Sequence, residues 1–258
     1  MHKKYFFFDI DGTLTDRKTG KVVPSAQLAL DKLQEAGHFV AIATGRAHYK
    51  AINFLHDCHL TNMVCAGGGA LLINDELVEN HPLPNQAAKN LIQEAIDQNY
   101  GIVVMIDDSI DVYAKDDLFR QQAIERKEPT RYFIDETLDY AKLDPIYKVY
   151  VAVPIGKEDT LPSLKDLGYL RCEQEYINVQ YDAKDKGIIE MMNHLNAPLE
   201  DVVVFGDDMN DLVMFDERWT SIAMGNACDE LKAKATYVTK ANTEDGIYDA
   251  CKHFGWID

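Results

Sequence analysis

The segment Phe6-Phe7-Phe8-Asp9-Ile10-Asp11-Gly12-Thr13 ends an apolar run on two carboxylates separated by one residue. Side chains of an extended chain alternate in direction, so Asp9 and Asp11 point to one side at the strand's carboxyl end, and Gly12 lets the chain turn away. Carboxylates paired in this way can hold a hard cation such as Mg2+ through oxygen, or divide the work of nucleophile and acid/base; the bland alternative is a solvated strand end with a turn. A second apolar run ends on Thr44-Gly45-Arg46 and opens a helical pattern. The Thr44 hydroxyl, Gly45 and the first unpaired N–H groups there form a seat for phosphate, although the same residues also make an ordinary loop start. A third run, Val203-Val204-Phe205-Gly206, leads into Asp207-Asp208-Met209-Asn210-Asp211. Asp207 and Asp211 can complete an oxygen cage with Asp9, and Asn210 supplies a neutral amide; acids capping a helix start are the competing account. Upstream, Asp185-Lys186-Gly187 opens a helix, where Lys186 can neutralise phosphate charge or simply face solvent.

Short apolar runs alternate with helical patterns around these segments. Strands are expected over 5–8, 39–43, 63–66, 202–205, 222–224 and 236–239. Helices are expected after Pro24, with Ser25 as cap and Gly37 as stop, and over 46–55, 187–195, 208–216 and 244–254. The alternation predicts an α/β fold with a doubly wound, mostly parallel sheet covered on both faces, whose strand ends carry the reactive segments. From 82 to 183 the texture changes. A hairpin pattern over 102–106 and 110–114 flanks Asp107-Asp108-Ser109, further strands read at 147–153 and 176–181, and helices at 86–99, 117–127 and 158–168. This block reads as an α+β insertion bounded by linkers at 80–84 and 182–185, leaving 1–81 and 184–258 as the core.

Composition narrows the function. With 26 Lys and Arg against 43 Asp and Glu, the 258-residue chain carries a formal charge of −17, so neither nucleic acid nor an anionic membrane is an expected partner. Lys3 and Lys4 precede an apolar run as in a signal peptide, but Asp9 and Asp11 cut it short, and no other stretch approaches the ~18 apolar residues of a span. The five cysteines are odd in number, widely spaced and without a Cys-x-x-Cys pair, which argues against a disulfide frame and for a cytoplasmic protein. His56-Asp57-Cys58-His59 lacks a distant partner cluster for zinc, and Asp107-Asp108 and Asp116-Asp117 read as turn and cap residues.

In order along the chain, Asp-x-Asp-Gly-Thr at 9–13, Thr44-Gly45, Lys186 and Gly-Asp-x-x-Asn-Asp at 206–211 resemble the motifs of the haloacid-dehalogenase superfamily of phosphatases. Ala223-Met224-Gly225-Asn226-Ala227 and Asn242-x-x-Asp245-Gly246-Ile247 look like segments of its Cof-type sugar-phosphatase branch, which carries a large α+β cap. The resemblance implies a Rossmann-like core, a cap that governs specificity, and a Mg2+-dependent phosphomonoester hydrolase acting on a small phosphorylated metabolite such as a sugar phosphate. It casts Asp9 as nucleophile and Asp11 as acid and later base. Asp9, the Asp11 carbonyl and Asp207 would hold Mg2+, with Thr13 in support. Thr44, Gly45, Lys186 and Asn210 would serve the phosphate, with Asn210 and Asp211 orienting Lys186 or the outer metal shell. The chain departs from the branch at Ala66-Gly67-Gly68-Gly69-Ala70, where relatives usually carry Asn-Gly-Ala, and at Lys184-Asp185, where a small or Ser-containing stretch is common. A phosphotransferase or mutase using the same phosphoaspartate is the alternative enzyme. A non-enzymatic phospho-accepting or ligand-sensing module is the second alternative, against which the acid at Asp11 argues.

Overall fold

The computed structural model describes residues 2–123, 129–171 and 173–258. In chain order its strands are β1 (Tyr5–Phe8), β2 (Phe39–Ala43), β3 (Met63–Cys65), β4 (Ala70–Ile73), β5 (Glu76–Asn80), β6 (Ile102–Met105), β7 (Asp111–Ala114), β8 (Arg131–Ile134), β9 (Lys148–Val151), β10 (Ile177–Val179), β11 (Val202–Gly206), β12 (Thr220–Ala223) and β13 (Tyr237–Val238). The helices are α1 (Pro24–Glu35), α2 (His48–Asp57), α3 (Asn85–Asp97), α4 (Leu118–Ala123), α5 (Leu164–Leu167), α6 (Lys184–His194), α7 (Asp229–Lys234) and α8 (Gly246–His253). They form two compact units, Met1–Asn80 with Ala183–Asp258, and His81–Asp182, divided one residue earlier at each crossing than the sequence suggests.

The first unit is built on an eight-stranded sheet in the order β13-β12-β11-β1-β2-β3-β4-β5. From β13 to β3 all pairings are parallel, and β4 and β5 add an antiparallel edge. The phenylalanines of β1 show why the sheet is central. Phe6 and Phe8 pack with Leu30, Leu33, Ile42 and Phe205 on one face, whereas Phe7 packs with Val204, Ile188 and Met191 on the other. Alternation on a strand buried on both faces gives a continuous apolar run, not an apolar–polar pattern. The chain leaves β1 through α1 toward β2, and leaves β11 toward β12 on the opposite side. The carboxyl ends of β1 and β11 therefore flank the topological switch point, where open α/β sheets bind ligands.

Several local expectations are corrected. Val23, extended at φ −70° and ψ 128°, precedes Pro24 in the first helical turn, and Ser25 lies inside α1 with its buried hydroxyl unpartnered. Proline presets the helical φ and needs no donor there, so no side-chain cap is required. The stretch over 209–214 is 3-10, not α, and the Asp208 and Asp211 carboxylates close a capping box at its start. The β4–β5 hairpin was not foreseen. Asn74 and Asp75 both take positive φ at its turn, and its outer strand carries mostly polar, half-exposed residues without a clean alternation.

The second unit holds a five-stranded sheet, β10-β9-β6-β7-β8, antiparallel except for the β7–β8 pair, with α3 packed on it through Ala88, Leu91, Ile92 and Ala95. The helix expected over 117–127 is seen as α4, and residues 124–128 lie outside the described residues, as does Cys172. The helix expected over 158–168 is interrupted by Pro162, leaving a 3-10 turn at Glu158–Thr160 and the short α5. No helix among the described residues is long and apolar enough to cross a membrane.

Candidate active site

The Asp9 backbone N–H continues the β1–β11 ladder by donating to the Phe205 carbonyl at 3.0 Å, which fixes the side chain at the switch point with only 5 % of the residue exposed. Asp207, one residue past β11, and Asp211 are equally buried. Oxygens of Asp9, Asp207 and Asp211 lie within 4.8 Å of one another. Lys184 is 1 % exposed and donates to Asp9 Oδ1 at 2.8 Å and Asp211 Oδ1 at 2.7 Å. The other oxygen of Asp211 accepts from the backbone N–H groups of Asp207 and Asp208, at 3.0 and 3.2 Å. Asp211 thus orients both the lysine and the loop that carries Asp207.

Lys186, the lysine expected from the sequence, is exposed, and Lys184 takes the position among the acids. The reason is the register of α6, which begins at Lys184 and not at Gly187. Residues two apart are separated by about 200° around a helix, so only one of the two lysines can face the carboxylates. The register is fixed by a close approach of backbones. The Ala183 N–H donates to the Gly67 carbonyl at 2.7 Å, a Cβ on Gly68 (φ +99°) would lie 2.2 Å from the Ala183 carbonyl oxygen, and one on Gly187 would lie 2.8 Å from Gly68 Cα. Bare glycines in the 66–69 turn are what seat the first turn of α6 against β3, which accounts for one departure from the branch pattern. The other, Lys184-Asp185, supplies the buried lysine that bridges Asp9 and Asp211.

The Asp11 carboxylate does not join the buried cluster. It is 64 % exposed and held by Arg46 Nη2 at 2.7 and 2.9 Å. Thr44, buried just past the end of β2, accepts from the Arg46 N–H at 3.2 Å, which ties its hydroxyl into the Thr44-Gly45-Arg46 turn whose arginine reaches Asp11. Thr13 is fully buried and donates to Asp207 Oδ1 at 2.9 Å. Asn210 is exposed on the 3-10 segment that follows Asp208.

Three residues with site roles carried no chemical signal in the sequence. Asn226 donates to the Gly12 carbonyl at 2.9 Å and to Asp207 Oδ2 at 3.3 Å, and Asn242 donates to the Thr15 carbonyl at 2.8 Å while its N–H binds Asn226 Oδ1 at 2.9 Å. Both stand in segments noted only by resemblance. Arg17, in the turn after β1, reaches Asp207 Oδ2 at 2.9 Å and Asp208 Oδ2 at 2.8 Å.

Burial pushes the Asp9 carboxyl up to about 7, opposed by Lys184 and reinforced by Asp211 and Asp207. Burial also raises Asp207, against the pull of Thr13 and Arg17. Burial alone would lower Lys184, but Asp9 and Asp211 outweigh it and keep the ammonium charged. Three buried carboxylates therefore remain short of positive charge with one buried lysine and one half-exposed arginine beside them. An all-oxygen set of this kind fits a hard divalent cation.

An α/β fold with three carboxylates gathered at the switch point, two of them bridged by a buried lysine, suits hydrolysis of the phosphoryl-transfer type. Residues 6–251 match the haloacid dehalogenase-like hydrolases, and the chain belongs to that family and to its phosphatases. YkrA of Bacillus subtilis strain 168, whose name assigns it provisionally to the phosphatases, is 29 % identical over all of both chains. The pyridoxal phosphate phosphatase YbhA of Escherichia coli K12 is 28 % identical over 96 % of this chain and 97 % of its own. Among solved structures, the subclass IIB sugar phosphatase BT4131 superposes with a TM-score of 0.77 at 25 % identity, over 99 % of this chain and 100 % of its own.

Proposed function

We propose that the enzyme is a Mg2+-dependent phosphomonoester hydrolase that acts on a small phosphorylated metabolite through an aspartyl-phosphate. The observation that carries this reading is the buried Lys184 bridging Asp9 and Asp211, with Asp207 alongside at the sheet's switch point. Asp9 attacks phosphorus. A carboxylate approaching a phosphate dianion is repelled, and Lys184 offsets that charge where water is excluded and the electrostatics are strong. Asp9 and Asp207 would hold Mg2+, which when bound adds Lewis-acid stabilisation of the phosphoryl oxygens. Thr44, Gly45 and the N–H groups after β2 bind the phosphoryl oxygens.

Asp11 suits proton transfer because it is exposed and carried on Arg46, not locked in the buried cluster. It protonates the departing alkoxide and then deprotonates the water that hydrolyses the acyl phosphate. The residues of the first unit all address the phosphate, so we assign selectivity for the rest of the substrate to the 81–182 unit. The relatives act on chemically different esters, among them pyridoxal phosphate and sugar phosphates, which points to a phosphorylated metabolite without specifying one.

The test is a phosphate-release screen over phosphorylated metabolites. Release with Mg2+ that stops on chelation and returns on re-addition supports the reading. Undiminished release after exhaustive EDTA treatment, or transfer of phosphate between sugars without release of inorganic phosphate, would overturn it.

A further inference from the structure

Both oxygens of Asp207 are already engaged. Thr13 donates to Oδ1 at 2.9 Å, and Oδ2 receives Arg17 Nη2 at 2.9 Å and Asn226 Nδ2 at 3.3 Å. A cation that takes Asp207 as a ligand must displace a donor or share its oxygen. Of these three donors, Thr13 is fully buried, and Asn226 is tied to the Gly12 carbonyl and the Asn242 N–H. Arg17 differs in carrying a full positive charge on a long side chain that is 53 % exposed, and in having a second carboxylate, the half-exposed Asp208, at 2.8 Å from the same nitrogen.

The approach of Arg17 is built by the backbone. Thr15 and Val22 bridge antiparallel, the Asp16 N–H donates to the Lys21 carbonyl at 3.0 Å, and the Asp16 carboxylate accepts from the Lys18 N–H at 2.9 Å. This tight turn returns Arg17 over Gly12, which lies at φ +100°. A Cβ on Gly12 would sit 2.2 Å from Asp207 Oδ2 and 2.4 Å from Arg17 Nε. The space vacated by one missing methyl group is therefore where carboxylate and guanidinium meet.

We propose that Arg17 is a resident counter-ion that occupies Asp207 Oδ2 in the metal-free enzyme, retreats to Asp208 when a divalent cation binds, and thereby weakens and sets the metal affinity. The inference rests on the metal dependence proposed above. A dication entering beside Asp207 meets both a competing donor on its ligand and the repulsion of a neighbouring positive charge. The exposed guanidinium can yield toward solvent without unpacking the core, so the competition is reversible. Arg17 acts through Asp207, which makes it a positioning residue.

The experiment is titration of metal-free wild type, Arg17→Gln and Arg17→Lys with MgCl2 by calorimetry at fixed ionic strength, alongside thermal melts in EDTA. Removing the competitor should tighten Mg2+ binding in Arg17→Gln by about fivefold or more, the lower end of an ordinary coupling between two sites. Its metal-free melting temperature should fall, because Asp207 then lacks its cation. Arg17→Lys keeps charge but loses the planar fork, and should bind Mg2+ with intermediate affinity. A merely structural arginine would, on removal, lower stability and metal affinity together. Unchanged or weaker Mg2+ binding in Arg17→Gln, with wild type binding normally, overturns the proposal alone. Absence of Mg2+ binding by wild type overturns the metal-dependent reading and this inference with it.

Discussion

Substituting Lys184 by Met, with Lys186→Met as control, tests the structure where it departs from the expectation of sequence. Methionine nearly matches the length of lysine but brings no charge, so the substitution leaves Asp9 and Asp211 facing each other at side-chain exposures of 7 % and 0 %. Removing one partner of a buried ion pair costs about 3–5 kcal/mol, because the remaining charge is neither solvated nor compensated. For a chain of this size each kcal/mol shifts the melting temperature by about 2–4 °C, so Lys184→Met should melt ~6–20 °C lower at pH 8 without metal. Lys186 is exposed, and its substitution should stay within about 0.5 kcal/mol of wild type.

The pH dependence of the loss has a definite sign. Asp9 titrates at about 7 in the folded protein. Below that pH it is protonated with or without Lys184, and part of the ion pair is already absent. Above it, wild type holds a carboxylate against an ammonium while Lys184→Met must hold a proton or an unpaired charge. The penalty should therefore grow from pH 5 to pH 9. Melts across that range, with phosphate release measured on the same samples, decide the matter. If Lys184→Met lay within about 1 kcal/mol of Lys186→Met at pH 8, or if only Lys186→Met lost turnover, the placement of Lys184 between the two acids would be wrong.

Two further outcomes are expected at the paired carboxylates. The folded pKa of Asp9 is raised from 3.8 to about 7, so the native state keeps a proton that the unfolded chain releases, and stability falls as pH rises between those values. The buried carboxylate is therefore a net cost above pH 7; Asp9→Asn should stabilise the metal-free protein at pH 8, show no gain at pH 4 and abolish turnover, and equal melting shifts at both pH values would contradict the account. Asp11→Asn retains the nucleophile but lacks the proton donor and base, so p-nitrophenyl phosphate, whose leaving group needs little protonation, should still label Asp9 and the adduct should persist. Quenched mass spectrometry checks this, and label on Asp11 in Asp9→Asn would reverse the assigned roles.

What the sequence disclosed, and what it withheld, follows the range of the interactions. The parallel core was legible because β1, β2 and β11 are buried on both faces and so spell themselves as unbroken apolar runs, and the acids that close β1 and β11 stand out against those runs. The α+β texture of the 81–182 unit was legible from its hairpin for a similar reason. Lys184 was missed because choosing between lysines two residues apart requires the helix register, and the register is set by Gly68 meeting Ala183, a contact between segments more than a hundred residues apart. Arg17 was missed because its turn is closed by backbone bonds with no sequence periodicity, and nothing local ties it to Asp207, 190 residues away.

The same logic explains why a motif can be noticed without its role. Asn226 and Asn242 stand in segments visible along the chain, yet neither titrates nor coordinates; their work is to join the Gly12 and Thr15 carbonyls to the loops after β12 and β13. Those bonds fix the backbone on either side of Thr13, which in turn holds Asp207 Oδ1. The donors from Asn242 to Asp207 thus form one continuous hydrogen-bonded chain, which Arg17 joins only at Asp207 Oδ2. Asp207 is held by neutral donors, Thr13 and Asn226, on one side and by a single charged donor, Arg17, on the other, and it is the charged donor that a divalent cation would oppose.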